Sequence, residues 1–294
     1  MADERQHGPS RLILGTAQLG MAYGTANRDR MPGEARALAL LDLAWRLGLT
    51  GLDTARDYGR AEQRIGVWTR RTGHRPWLIS KVPPVTDGAA VGRQLAETEN
   101  ALAGARIDGL LAHRAEDLQI REVATAFRDL VAVGRIGGFG ASVYSPEQAR
   151  RALAVPGLSL VQVPLSIFDR RFADSGVLER AAAAGVALFA RSVFLQGVIG
   201  LEPDALPAHL GVLAEPLGRL RQLADEADLA PTALALAAVL AQPEIASVVI
   251  GVDNPRQLRA NVAAAAAPVD PAVIAEATAL GCQVPEAMVD PSRW

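Results

Sequence analysis

Eight short apolar runs recur along the chain, and helical patterns lie between them. The runs begin near residues 11, 51, 77, 108, 136, 158, 186 and 247. Most of them are continuously apolar and do not alternate with polar residues, which is typical of strands covered on both faces in a parallel sheet. Eight such strands in alternation with helices predict an α/β fold, a closed (β/α)8 TIM barrel. An open, doubly wound sheet is the alternative, because periodicity alone does not establish closure.

The clearest helical pattern covers residues 34–47, where Leu38, Leu41 and Trp45 fall on one face and Gly48 follows the last turn. An apolar stripe at this spacing is typical of a helix that covers one side of a sheet. Patterns of the same kind predict two further helices, over residues 93–103 and 119–133.

The 294 residues show no break in composition, and half of them are hydrophobic. A (β/α)8 barrel reaches this length as one domain, so we expect a single domain over residues 1–294. The interval 193–246 carries Pro203, Pro207 and Pro216 before helical patterns resume. We interpret it as a loop-plus-helix insertion on the face of the barrel where sites are built.

The charges nearly balance, with 30 basic and 32 acidic side chains and a net charge of −2. No basic stripe with interleaved aromatic residues is present, so we do not expect a nucleic acid partner. The single cysteine, Cys282, permits no internal disulfide and fits a reducing compartment. The first ten residues lack an apolar signal core, and no apolar stretch is long enough to span a bilayer. We therefore expect a cytoplasmic protein with no membrane partner.

Ionisable residues stand at the ends of three consecutive predicted strands. Asp53 ends the second, Lys81 the third and His113 the fourth, while Tyr58 follows Asp53 by five residues in the segment GLDTARDYG. The carboxyl ends of barrel strands meet at one mouth, where barrel enzymes hold their active sites. We therefore expect these four side chains to lie together.

The four residue types suit the delivery of a proton to an oxygen that gains negative charge. A free phenol has a pKa of about 10, and a nearby ammonium such as Lys81 is expected to lower it. Asp53 would hold Lys81 charged, and His113 would hydrogen-bond a substrate oxygen or share in proton delivery. We expect no metal centre, because only His113 among the four histidines lies at a predicted strand end.

Three segments carry a resemblance to a known family: GLDTARDYGRAEQRIG from residue 51, the strand ISKV and the strand LLAHRAEDL. They resemble the corresponding segments of the aldo/keto reductase family, and the likeness extends over nearly the full length of the chain. It implies a (β/α)8 barrel enzyme in which Asp53, Tyr58, Lys81 and His113 are the catalytic residues.

Four further segments resemble the parts of that family that bind a nicotinamide cofactor: GFGASVYS, VQVP, ARSVFLQG and VVIGVDNPRQLRAN. Two departures from the family pattern concern the nicotinamide end of the cofactor. Val143 replaces an asparagine, and Arg191 stands where an aromatic residue commonly stacks on nicotinamide. A planar guanidinium can stack as well. The cofactor contacts that the resemblance implies are Thr16, Ser142, Gln162, Arg191, Ser192, Phe194, Gly197, Gly251, Asp253, Gln257 and Asn261.

The resemblance implies NADPH as the cofactor, and NADH stays open. Gly251 and Val252 stand where a lysine and a serine often bind the 2′-phosphate, and Gln257 occupies a position that is often arginine. Asp253 adds a negative charge to the same segment.

Three residues are candidates for contact with a substrate: Gln18 and Tyr23 in the loop after the first strand, and Trp294 at the C-terminus. The segments LGTAQLGMAYGTANR, SIFDRR and ARSVFLQG resemble bacterial reductases of sugar or polysaccharide metabolism. The prediction is therefore an NAD(P)H-dependent reductase of a small aldehyde or ketone, of sugar-like polarity. Two other hypotheses stay open: a cofactor-binding sensor or regulatory barrel without turnover, and a redox-neutral isomerase or lyase.

Overall fold

The computed structural model describes residues 8–25, 27 and 31–290. Within them, eight parallel strands form a closed barrel in chain order, and β1 pairs with both β2 and β8. The predicted (β/α)8 barrel is therefore confirmed and the open-sheet alternative is wrong. The strands are β1 Leu12–Gly15, β2 Gly51–Asp53, β3 Trp77–Val82, β4 Gly109–Ala112, β5 Phe139–Ser142, β6 Leu160–Pro164, β7 Ala187–Arg191 and β8 Ile245–Ile250.

Helices surround the barrel, and short helical segments lie in the loops at its carboxyl end. No single helix in the described part of the chain is long and apolar enough to cross a membrane, although the bent pair 255–266 and 271–282 passes that test together on length and composition. The α-helices are α1 Ala17–Gly20, α2 Glu34–Arg46, α3 Ala61–Thr72, α4 Gly88–Ala101, α5 Arg121–Ala132, α6 Pro146–Leu153, α7 Val177–Ala183, α8 Ala214–Glu226, α9 Pro231–Leu240, α10 Pro255–Ala266, α11 Pro271–Ala279 and α12 Glu286–Val289. Short 3₁₀ segments cover Ala115–Gln119, Ala173–Ser175, Leu195–Gly200, Pro203–Ala205, Ala208–Leu213 and Leu280–Gln283.

The strands are largely apolar because each is covered on both faces. Large side chains fill the inside of the barrel, and the rings of Trp77 and Phe189 stack there with their centroids 5.4 Å apart. The helices cover the outside. This packed interior leaves only the carboxyl end of the barrel to form a site. The inner cluster consists of Ile13, Ile79, Leu111, Leu160, Phe189 and Val249.

Two of the predicted helices can be compared with the structure, α2 in the face that it buries and α4 in the residue at which it begins. Helix α2 buries Leu38 and Leu41, as its apolar stripe predicts. Helix α4 begins at Gly88, five residues before the predicted start, because the side chain of Asp87 accepts a hydrogen bond from the Ala90 amide and caps the helix there.

The chain between β7 and β8 forms a second hydrophobic cluster above the barrel. Leu195 and Val198 pack there with Leu217 of α8 and Leu234 of α9, against Phe168 from the loop after β6. These contacts fix the segment that leaves β7, which borders the mouth of the barrel.

Candidate active site

A buried ion pair lies at the floor of the mouth. The Nζ atom of Lys81 on β3 lies 2.8 Å from both carboxylate oxygens of Asp53 at the end of β2, and it also donates to the Thr54 carbonyl over 3.0 Å. Only 1% of Lys81 and 3% of Asp53 are exposed. Burial lowers the pKa of the Lys81 ammonium, and the Asp53 carboxylate opposes this shift.

Tyr58 places its hydroxyl 3.4 Å from Lys81 Nζ, so the phenol joins the ion pair. Burial raises the pKa of the Tyr58 phenol well above its ordinary value, Asp53 raises it further, and Arg191 opposes the shift. The net shift of this pKa is therefore upward, opposite to the predicted lowering. The physical reason is burial, which disfavours the charged phenolate, and the nearby Asp53 carboxylate adds to the shift.

The turn that carries Tyr58 is fixed by the loop after β1. The Arg60 amide donates to the Gly20 carbonyl over 3.1 Å, and the buried Arg64 donates to the Leu19 carbonyl. A β-carbon at Gly20 would collide with the carbonyl oxygen of Tyr58. Since only a glycine fits at position 20, the first loop and the Tyr58 turn share one fixed position.

His113 follows β4 and faces the same mouth. Its ring meets the Tyr58 ring edge-on with the centroids 6.2 Å apart, and its Nδ1 atom lies 3.3 Å from Oδ2 of Asp57. Burial lowers the pKa of His113, Lys81 lowers it further, and Asp57 opposes the shift. A neutral imidazole next to a carboxylate carries its proton on Nδ1, because the carboxylate only accepts, and its Nε2 is then an acceptor.

Gln162 of β6 links the ion pair to the opposite side of the floor. Its Nε2 atom donates to Asp53 over 2.7 Å, and the side chain is fully buried. Its Oε1 atom has no hydrogen-bond partner among the described residues. The buried Ser142 is its register partner on β5. This buried acceptor is free to receive a hydrogen bond from a molecule bound in the mouth.

Arg191 ends β7 and lies over the ring of Tyr144, with the guanidinium carbon 4.3 Å from the ring centroid. It donates to the Ser192 hydroxyl over 3.1 Å and to the Val143 carbonyl over 3.0 Å. The cation therefore lies over an aromatic ring at the wall of the mouth.

The segment after Arg191 has an unusual backbone. Ser192, Leu195, Gln196 and Gly197 have φ values of 61°, 45°, 54° and 92°. Positive φ values at residues other than glycine store backbone strain, which is typical of ligand-binding loops. The amides of Leu195 and Gly197 donate within the turn, to the Ser192 and Phe194 carbonyls over 2.9 Å. Phe194 lies half-buried beside them and packs against the barrel core.

The candidate residues of the first loop lie on two sides of the mouth. The buried Thr16 donates through its hydroxyl to the Asp53 carbonyl over 3.0 Å, and Gln18 lies against Gly251 after β8. Tyr23 is 38% exposed, and the pKa of its phenol is raised by partial burial and by Tyr58. The third substrate candidate, Trp294, lies outside the described residues.

The segment after β8 caps helix α10 on the side of the barrel next to β1. The Gln257 amide donates to the Asn254 side chain over 3.0 Å, and the Gln257 side chain accepts from the Asp253 amide over 2.7 Å. Arg36 of α2 donates to the Asp253 carbonyl over 3.3 Å. The buried Asn261 lies one turn further along α10. By strand order this group lies across the barrel from His113.

A family model described as the aldo/keto reductase family matches residues 11–281. The chain belongs to the aldo/keto reductase family. The aldo-keto reductase str7 of Strobilurus tenacellus is 28% identical over 284 residues, which cover 86% of this chain and 82% of that protein. The pyridoxal 4-dehydrogenase of Microbacterium luteolum is 27% identical over 308 residues, which cover 85% of this chain and 88% of that protein.

The fold of this aldo/keto reductase is also found among solved structures. An aldo-keto reductase of Bacillus halodurans, solved in its holo form, superposes with a TM-score of 0.80 at 24% identity, over 97% of this chain and 96% of that one. This likeness shows the shared barrel. The family and its relatives identify the chain as an oxidoreductase and support carbonyl reduction.

Two residues at the mouth of this aldo/keto reductase are absent from the sequence-based candidates, Asp57 and Tyr144. Asp57 directly precedes Tyr58 in the turn, and Tyr144 follows β5 by two residues. A signal exists for Tyr144, since the chain has only three tyrosines and all three lie at the mouth. Asp57 carries no such signal, because acidic residues are common in turns.

Proposed function

We propose that this aldo/keto reductase reduces the carbonyl group of a small aldehyde or ketone, with Tyr58 as the proton donor. The observation that carries the proposal is the contact of 3.4 Å between the Tyr58 hydroxyl and Lys81 Nζ, beside Asp53 at the floor of the mouth. A bound nicotinamide cofactor supplies the hydride.

The raised pKa of Tyr58 suits the direction of reduction. At neutral pH the phenol keeps its proton, and it gives the proton up only to a strong base such as the alkoxide that forms as a carbonyl is reduced. The Lys81 ammonium then stabilises the phenolate, because it is itself buried and already lies against the hydroxyl. His113 borders the carbonyl position from the β4 side and orients the substrate.

The residues of the floor fit a nicotinamide ring. Gln162 would accept from the amide of the ring through its unpartnered Oε1 atom, and Ser142 lies beside it. Val143 offers no polar side-chain atom at the position of the family asparagine. We further propose that the strained turn from Ser192 to Gly197, which follows β7, holds the diphosphate of the cofactor, as the resemblance of ARSVFLQG implies.

For the adenosine end we propose the segment from Gly251 to Asn261, with Asp253 and Gln257 beside the ribose. NADPH is the preferred cofactor because it is typical of the family, and Arg36 lies next to this segment and contributes a positive charge. NADH is the alternative, since the Asp253 carboxylate would repel a 2′-phosphate.

For the substrate we propose a small polar carbonyl compound bordered by Gln18 and Tyr23, with Trp294 as a further candidate contact. One relative is a pyridoxal 4-dehydrogenase, which supports an aldehyde. We also propose that the chain acts as one domain over residues 1–294, with residues 193–246 as an insertion that shapes the mouth, and that it works in the cytoplasm.

A panel of aldehydes, ketones and sugars tests the reaction. Each compound is offered with NADPH and with NADH, and the loss of reduced-cofactor absorbance is followed for the wild type and for Tyr58→Phe. Turnover that depends on Tyr58 supports the proposal. Cofactor binding without turnover of any compound contradicts it and favours the regulatory barrel, while product formation without cofactor consumption favours an isomerase or lyase.

A further inference from the structure

One ring nitrogen of His113 lies against a carboxylate, and the other is left for a bound molecule. The Nδ1 atom lies 3.3 Å from Oδ2 of Asp57, whereas the Nε2 atom has no hydrogen-bond partner among the residues that the structure describes. Because a carboxylate only accepts, the proton of a neutral His113 is on Nδ1. Nε2 then carries a lone pair and no proton, so it can accept a hydrogen bond but cannot donate one.

The groups around His113 favour its neutral form. Burial lowers the pKa of the imidazole, and the charges of Lys81 on β3 and Arg191 on β7 lower it further, while Asp57 opposes the shift. Tyr58 faces the ring as a neutral phenol, since its own pKa is raised. With a pKa below the ordinary value of about 6.5, the imidazole is neutral at pH 7. Nε2 is therefore an acceptor under the conditions in which the enzyme works.

An acceptor at Nε2 does not suit a carbonyl group that has no donor beside it. The carbonyl oxygen also carries lone pairs, and a neutral ring with its proton on Nδ1 cannot donate to it. A hydroxyl group on the next carbon can donate to Nε2 while the carbonyl oxygen accepts from Tyr58. One small molecule can make both contacts, because the Tyr58 and His113 rings meet edge-on with their centroids 6.2 Å apart.

We propose that Asp57 is a positioning residue that holds His113 as a hydrogen-bond acceptor, so that the preferred substrate is an aldehyde or ketone with a hydroxyl group on the carbon next to its carbonyl group. This inference rests on the proposed reductase function and narrows its substrate class. In the reduction the carbonyl carbon takes the hydride and the carbonyl oxygen takes the proton of Tyr58. His113 neither gains nor loses a proton.

Kinetics with matched substrate pairs test the inference. Hydroxyacetone is compared with methoxyacetone, and lactaldehyde with 2-methoxypropanal, so that each pair keeps the oxygen next to the carbonyl group and differs in the O–H donor. We expect wild-type kcat/KM to favour the hydroxyl member of each pair. Asp57→Asn should reduce that preference by about threefold to tenfold, because the asparagine amide can donate to Nδ1 and leave the ring proton on Nε2.

Two further substitutions at position 57 separate the carboxylate from its surroundings. Asp57→Ala removes the acceptor altogether and should reduce the preference as Asp57→Asn does. Asp57→Glu keeps a carboxylate and should retain a larger part of the wild-type preference than either. Glu116→Gln is the matched control, since it removes a carboxylate from the loop after β4, where Glu116 accepts from the Gln148 side chain. A loss of preference in this control as large as that in Asp57→Asn would show a general charge effect and overturn the inference.

Nitrogen NMR of the labelled protein gives a readout that does not depend on turnover. It reports which nitrogen of His113 carries the proton, and each ketone is added with oxidised cofactor present, so that no reduction occurs. We expect hydroxyacetone to shift the Nε2 signal and methoxyacetone to leave it in place. Asp57→Asn should abolish this difference.

Equal kcat/KM for the two members of each pair in the wild type overturns the inference. So does a neutral His113 that carries its proton on Nε2, and so does a preference that stays unchanged in both Asp57→Asn and Asp57→Ala. If hydroxyacetone shifts the Nε2 signal but no compound is reduced, the acceptor role of His113 stands and the proposed reductase function fails.

Discussion

The Nδ1 atom of His113 lies 3.3 Å from Oδ2 of Asp57, and Asp57 directly precedes Tyr58. His113, which follows β4, is thus in contact with the turn after β2 that carries Tyr58. The contact also fixes which imidazole nitrogen carries the proton when the ring is neutral, since a carboxylate only accepts.

We expect Asp57→Asn to lower the pKa of His113. Asp57 raises that pKa against the larger effects of burial and Lys81, so removal of the carboxylate charge leaves the lowering effects unopposed. The pKa and the tautomer are measured by nitrogen NMR, which is practical because the chain has four histidines and His113→Gln assigns the signal. Glu99→Gln, near the end of α4, is the control. An unchanged His113 pKa in Asp57→Asn would show that the contact does not form in solution.

We expect Tyr58→Phe to lower kcat for carbonyl reduction by at least about a hundredfold, since the ring packs as before and only the proton is lost. Cofactor affinity should change little. Tyr144→Phe removes a hydroxyl at the same mouth but leaves the contact between Tyr58 and Lys81, so its effect should be smaller. Steady-state kinetics of both variants decide the assignment, and a Tyr58→Phe enzyme near the wild-type rate refutes it.

The pH dependence of reduction follows from the direction of two pKa shifts. Because the pKa of Tyr58 is raised, the phenol stays protonated through pH values near its ordinary value of about 10, and it causes no loss of rate there. The pKa of Lys81 is lowered, so any fall in rate at basic pH comes from loss of the ammonium. We expect kcat to fall with pH before the ordinary lysine value of about 10.4 is reached. A fall that persists unchanged in Lys81→Arg would contradict this assignment.

We expect Lys81→Met to destabilise the fold by about 3–5 kcal/mol, because it leaves Asp53 buried without its cation. The double variant Asp53→Asn with Lys81→Met should recover a large part of that loss. Arg151→Met, which breaks an exposed pair with Glu147 on α6, should cost at most about 0.5 kcal/mol. Urea unfolding monitored by circular dichroism gives all three values. A cost in Lys81→Met no larger than that in Arg151→Met would mean that the pair is not closed in solution.

We expect NADPH to bind more tightly than NADH, and Asp253→Asn to widen the difference by removing a charge that repels the 2′-phosphate. Fluorescence titration of both reduced cofactors measures the two affinities. Asp270→Asn, which alters the cap of α11 outside this segment, is the control. Tighter binding of NADH by the wild type would reverse the proposed preference.

The sequence predicts the barrel well because the burial of each strand on both faces leaves a continuous apolar run. Asp53, Lys81 and His113 are predicted for a related reason, since their places at consecutive strand ends follow from strand order alone. Helix α4 shows where such signals are weaker: its apolar stripe is recognisable only from residue 93 onward, whereas its cap at Asp87 sets the start.

The remainder of the site depends on distances that no sequence pattern contains. Tyr144 comes from the loop after β5 and meets Arg191 from β7, across the whole width of β6. The upward shift of the Tyr58 pKa comes first from burial of the phenol and then from the nearby Asp53 carboxylate. The contact of Tyr144 with Arg191 and the pKa shift of Tyr58 both depend on how distant parts of the chain meet at the mouth of the folded barrel.

Gly20 lies so close to the carbonyl oxygen of Tyr58 that position 20 must stay a glycine. This sets a limit on how the first loop can be redesigned. Position 20 cannot gain bulk without displacing the carbonyl of Tyr58. Met21 and Tyr23, which come next, lie at or near the surface. Libraries aimed at new substrates can therefore vary the loop from position 21 onward while the chemistry beneath stays in place.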